Sequence, residues 1–233
     1  MNLALLLFCL IQLIFALKRG IPLRSITVSL PALDVSMDQG PFHWISRHKK
    51  CLQGYHFQIL DILKANSDYN VNQLSPSPSQ TLFTPLHCAC ESGDMEIVRW
   101  LVEQGAASIN VDGAKSGKGK LISPLAVAVQ NEHVNVVEYL VRNPACDVNQ
   151  RNSTGATALH VACESGFFEG VEALLTYSAQ PVALEQENID GCTPLNLACF
   201  KRHTKIALFL LLNGSNAAAS NIDGYSPLHL AAR

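Results

Sequence analysis

His87-Cys88-Ala89-Cys90 puts an imidazole and two thiols within four residues, and His160 stands three residues before Cys163. These side chains bind zinc, which needs four converging nitrogen or sulfur ligands. A short helix through this stretch turns Cys88 and Cys90 to different sides, so the set does not converge. The segment Gly113-Ala114-Lys115-Ser116-Gly117-Lys118-Gly119-Lys120 offers a second chemistry, a glycine-rich cradle for phosphate. The phosphate-binding pattern G-x-x-x-x-G-K-[ST] fails here on spacing, and Gly119 stands where it needs Ser or Thr. No apolar strand precedes the segment, so it reads as a flexible, lysine-bearing finger. No hydrolytic triad, carboxylate pair or nucleophilic Cys/His signature stands out. The sequence is expected to hold no catalytic, metal-binding or cofactor-binding residue and no enzyme activity.

The elements that carry these residues come from a phrase used five times. It reads Thr84-Pro85-Leu86-His87, Ser123-Pro124-Leu125-Ala126, Thr157-Ala158-Leu159-His160, Thr193-Pro194-Leu195-Asn196 and Ser226-Pro227-Leu228-His229, recurring every 33 to 39 residues. A hydroxyl residue before proline starts a helix: the hydroxyl caps a free N–H, and proline needs no donor in the first turn. Gly93 and Gly166 then end the first helix in a left-handed conformation. A second helix follows with apolar residues at three- and four-residue steps, as in Ile97, Val98, Leu101 and Val102, or Val136, Val137, Leu140 and Val141. Segments such as Asn188-Ile189-Asp190-Gly191 read as hairpin turns between copies. No copy can bury its apolar face alone, so neighbours must stack.

The phrase and its period resemble the ankyrin repeat, whose signature is T-P-L-H-x-A at about 33 residues. The resemblance implies an all-α repeat fold, a helix-turn-helix solenoid with hairpin loops. It also implies that the histidine of the phrase is a structural hydrogen-bonding residue near the cap. Function is then binding another protein, as an adaptor or scaffold, through a preformed concave surface. Partner contacts in such repeats concentrate on three kinds of position. Those before the cap include Phe83, Ile122 and Tyr225. Those closing the first helix are Glu91, Ser92, Gln130, Asn131, Glu164, Ser165, Phe200 and Lys201, with Arg202 beside them. Those at the tips include Arg151, Asn188 and Asp223. They vary from copy to copy while the core slots repeat. Glu91 and Glu164 near one end, with Lys201 and Arg202 near the other, form an acidic-to-basic gradient along the groove.

Around the array the chain divides into a hydrophobic segment at 1–17, a linker at 18–40, a degenerate N-terminal repeat with its linker at 41–80, and the repeats at 81–233. The apolar run Leu3 to Leu17 is short for a transmembrane helix. It reads as a secretory signal, as an uncleaved anchor, or as an artefact of the gene assignment, and it is the only route to a membrane. A net charge of −2 excludes a strongly basic nucleic-acid binder. Cys90, Cys163 and Cys199 share a slot that takes Val129 and Ala232 in other copies, the mark of a small buried position rather than a disulfide. Reduced core thiols place the repeats in the cytoplasm, with a membrane-anchored or secreted chain as the reading if the N-terminal segment is genuine. The last copy stops inside its first helix at Arg233. The expectation is a fragment, and hence a second function: a regulatory or targeting segment of a larger enzyme or channel.

Overall fold

The computed structural model describes residues 71–72, 75–76, 82–104, 107–115 and 120–232. The segments expected at 1–17 and 18–40, and most of 41–80, lie outside the described residues.

Each copy of the phrase starts a helix at the expected residue. These are α1 (Pro85–Ser92), α3 (Pro124–Gln130), α5 (Ala158–Ser165), α7 (Pro194–Phe200) and α9 (Pro227–Ala231). The second helices are α2 (Met95–Glu103), α4 (Val134–Val141), α6 (Phe168–Tyr177) and α8 (Thr204–Leu212). Consecutive pairs make units one to four, and α9 opens unit five. The first helices stack on one another in chain order and the second helices do the same, giving two layers. Between the layers lie Leu86, Leu125, Leu159 and Leu195 from the phrase, against Leu101, Leu140, Leu174 and Leu210 from the second helices, all buried. Each such leucine contributes about 1.5–3 kcal/mol by leaving water. The shared small slot is filled as expected by Cys90, Val129 and Cys163, while Cys199 is only half-buried and Ala232 is exposed. The six cysteines among the described residues are free.

One expectation needs correction. The segment expected as a flexible, lysine-bearing finger contains two strands among the described residues. It forms β3 (Gly113–Lys115) and β4 (Lys120–Ile122), which join β1 (Ser75–Pro76) and β2 (Leu82–Phe83) in a four-stranded antiparallel sheet ordered β1-β2-β3-β4. The extra residues of this copy allow a ladder where later copies have room only for a turn.

Candidate functional site

The first helices are positioned by their caps. In unit one the Thr84 N–H donates to His87 Nδ1 (3.2 Å), so the ring proton sits on Nε2, which donates to the Ile122 carbonyl of unit two (2.9 Å). Unit three repeats this: the Thr157 N–H donates to His160 Nδ1 (3.1 Å), and His160 Nε2 donates to the Cys192 carbonyl of unit four (3.1 Å). Both nitrogens of each ring are therefore occupied by protein. Burial drives the His87 pKa down to about 4 and lowers that of His160, so both rings are neutral near pH 7. In unit four Asn196 takes the same role, receiving the Thr193 N–H (2.9 Å) and donating to the Ala219 carbonyl (3.1 Å). Unit two has Ala126 at this position and cannot bridge to unit three.

A second set of bridges was missed by the sequence reading. His133, just before α4, hydrogen-bonds through Nε2 to the Glu91 carbonyl (3.1 Å), and His203, just before α8, does so to the Glu164 carbonyl (3.4 Å). Each ring lies over the left-handed glycine that ends the preceding unit's first helix. A Cβ on Gly93 (φ 75°) would come within 2.6 Å of the His133 ring, and one on Gly166 (φ 83°) within 2.5 Å of His203. The equivalent residue of unit three is Phe167, which is buried and makes no such bridge. Only the histidine types gave a signal, since the partners lie some forty residues away.

The tips are built by asparagine. Asn152, Asn188 and Asn221 each accept two backbone N–H bonds from their own turn, Asn188 from Asp190 and Cys192 (both 2.9 Å). Adjacent tips are tied by Ile189 N–H to the Thr154 carbonyl (2.9 Å) and Ile222 N–H to the Asp190 carbonyl (3.3 Å). Arg151 spans two tips, donating to the Gly155 carbonyl (3.2 Å) and the Glu187 carbonyl (3.1 Å). Asn188 thus acts chiefly inside its own turn, whereas Asp223 and Tyr225 are exposed beyond theirs.

The residues closing the first helices form a row, and it changes character along the chain. Glu91 and Ser92 are half-buried, and the Ser92 hydroxyl donates to the Ala89 carbonyl (3.0 Å). Gln130, Asn131, Glu164 and Ser165 are exposed. Phe200 is 48% exposed, Tyr225 45%. Lys201 pairs with Glu164 at 3.4 Å, so the expected charge gradient is partly cancelled where the two units meet. Arg202 holds a left-handed backbone (φ 61°), as does Glu132 (φ 59°) at the same place in unit two. Phe83 closes β2 opposite Ser75. Ile122 must be removed from the contact set: it is 7% exposed, because in unit two the residue before the cap ends a strand and roofs His87.

The outer layer is mostly self-satisfied. Arg99 lies over the Tyr139 ring (5.6 Å), and Arg142 over Tyr177 (4.4 Å) while pairing with Glu138 (3.3 Å). Its exception, also missed, is α8, where Leu208 (56% exposed) and Leu212 (85%) stand in slots held elsewhere by Arg99 and Glu103 or Glu138 and Arg142. Among the described residues no helix is long and apolar enough to cross a membrane.

A family profile described as ankyrin repeats (3 copies) matches residues 47–152 and 111–185, and one described as ankyrin repeat matches 190–222. The chain belongs to the ankyrin-repeat family. Ankyrin repeats are in general protein-interaction modules and carry no catalytic machinery of their own. The chain is similar to the human transient receptor potential cation channel subfamily A member 1, at 30% identity over 64% of this chain and 13% of the channel subunit. It is also similar to the Arabidopsis thaliana E3 ubiquitin-protein ligase KEG, at 30% identity over 62% of this chain and 9% of the ligase. Human Rabankyrin-5 is 31% identical over 64% of this chain and 12% of its own length. The chain thus spans only about a tenth of the length of these relatives.

Proposed function

We propose that this ankyrin array docks an extended segment of a partner protein along the row formed by its first-helix ends and hairpin tips. The observation that carries the reading is the contrast within each unit. Slots facing the core repeat chemically, whereas the row runs from Glu91 and Gln130 to exposed Phe200, Lys201, Arg202 and Tyr225. Exposed aromatic and basic side chains on a rigid scaffold are the usual anchors of an interface. The buried thiols support a reducing, cytoplasmic setting for the repeats: burial raises the Cys90 and Cys163 pKa values and pushes Cys146 up to about 12, holding them as inert thiols.

A second reading is favoured by the short share of the relatives that the chain covers. The array then serves as the targeting or regulatory arm of a larger protein, as its likeness to parts of a channel and a ligase supports. In both readings the array recruits a partner and performs no chemistry.

The test is affinity capture from cell extract with the wild-type chain, the Phe200→Ala/Tyr225→Ala variant and an outer-layer control, Glu96→Ala. Proteins retained by wild type and control but lost from the double variant are expected. An identical set from all three would remove the row as the docking surface.

A further inference from the structure

The turn between the two helices of each unit is a left-handed corner, and the chain fills it in two ways. Units one and three use Gly93 and Gly166. Units two and four hold Glu132 at φ 59° and Arg202 at φ 61°, a region that is costly for any residue with a Cβ. Both corners are fixed by the same backbone bond. The Glu132 N–H donates to the Val129 carbonyl (3.1 Å), and the Arg202 N–H donates to the Cys199 carbonyl (3.0 Å). Nothing in these bonds calls for a side chain, and glycine would serve with less strain.

The two kinds of corner differ in what covers them. Imidazoles of the following units roof Gly93 and Gly166 and leave no room for a Cβ. In unit three the residue in the imidazole's place is Phe167, whose ring is tucked against its own helix, 2.2 Å from where a Cβ on Gly170 would stand. Glu132 is exposed, and so is Arg202. Neither side chain has an ion pair or a hydrogen bond among the described residues. Their neighbours on the row are engaged: Asn131 Nδ2 donates to the Val127 carbonyl (2.8 Å), and Lys201 pairs with Glu164 (3.4 Å). Two open corners thus carry unpaired charges of opposite sign where the backbone would favour glycine.

We propose that Glu132 and Arg202 select the docked segment by charge, a basic residue of the partner protein meeting Glu132 and an acidic one meeting Arg202. This inference rests on the protein-docking reading above and adds the chemistry of the segment. Neighbouring helices pack about 8–10 Å apart, so corners two units apart are separated by roughly 20 Å. An extended chain rises about 3.3 Å per residue and covers that span in about six residues. The segment therefore carries its basic and acidic residues about six positions apart. A nucleic acid, anionic throughout, would be repelled at Glu132.

The experiment selects from a displayed random peptide library on the full chain, with peptides of about twelve residues, long enough to span both corners. Selected peptides are titrated into wild type, Glu132→Gly and Arg202→Gly by fluorescence anisotropy. Glycine relieves the left-handed backbone, so both variants should be at least as stable as wild type, which urea denaturation checks. Expected are peptides with a basic and an acidic residue about six apart, bound roughly threefold or more weakly by each variant. Neutralising the acidic residue of such a peptide should abolish the effect of Arg202→Gly and leave that of Glu132→Gly. No enriched peptide, enrichment without the charged pair, or glycine variants that bind as wild type does would each overturn the proposal. Peptides that lose binding only with Phe200→Ala/Tyr225→Ala would keep the docking row and discard its charged corners, so the two readings fail separately.

Discussion

The contact between units one and two and the contact between units two and three join the same kinds of helix, yet they bury different chemistry. The first is pinned at both ends of α1, by His87 to the Ile122 carbonyl and by His133 to the Glu91 carbonyl. The contact between units three and four repeats this with His160 and His203. Between units two and three the corresponding residues are Ala126 and Phe167, and the contact relies on apolar packing at those places. Solenoid stability is approximately a sum of unit and interface terms. Here the two histidine-pinned contacts flank one that lacks both pins, and the contact between units four and five is held at one end by Asn196 on the Ala219 carbonyl, so their responses to truncation, acid and backbone change are separable.

The largest effect is expected from Leu159→Ala in the apolar contact. Leu159 is fully buried in α5, which packs on both α3 and α7, and its truncation should lower unfolding free energy by roughly 2–5 kcal/mol. Urea denaturation followed by circular dichroism measures it, and a loss below that of an exposed alanine variant would break the assignment of the core.

Acid should strike the pinned contacts next. Burial holds the folded pKa of His87 at about 4 and lowers that of His160, against an unfolded value near 6.5. The unfolded chain binds the extra protons, so stability is complete above about pH 6.5 and drains away as pH falls toward 4. For His87 alone the full loss is about 3 kcal/mol. His87→Asn/His160→Asn keeps the side-chain type that Asn196 uses in unit four but does not titrate there. Its stability should fall far less across this window, and parallel pH profiles for the two proteins would refute the histidine explanation.

The smallest effect sharpens the corner geometry. Gly93→Ala requires a left-handed alanine, costing roughly 1–2 kcal/mol, and also drives a Cβ into the His133 ring. Gly214→Ala at φ 94° meets nothing within 4 Å and should cost only the backbone share. The difference between the two in chemical denaturation reports the tightness of the imidazole against its corner; equal losses would mean the ring simply moves aside.

What could be read in advance follows the range of the forces. Thr84, Ser123, Thr157, Thr193 and Ser226 announce the five first helices among the described residues because capping is settled within three residues. The starts of α4, α6 and α8 were harder, since His133, Phe167 and His203 provide no side-chain cap. The tie from His133 to Glu91 crosses 42 residues and leaves no local pattern. Exposure along the row was legible where tips are tight, as at Tyr225, and misread at Ile122, where an inserted ladder turns the same position inward. Strand register was invisible because three-residue strands in a glycine-rich stretch carry no periodicity.

The distribution of the histidine pins also decides which pieces of this chain can be exchanged. Excising unit two alone would bring Gly93 against Phe167 and leave His87 facing a neighbour matched to alanine. Excising units two and three together would bring Gly93 to His203 and His87 to the Cys192 carbonyl, the same pairs that Gly166 and His160 already make. The interchangeable brick here is therefore the pair formed by units two and three, whose removal leaves the new seam matched.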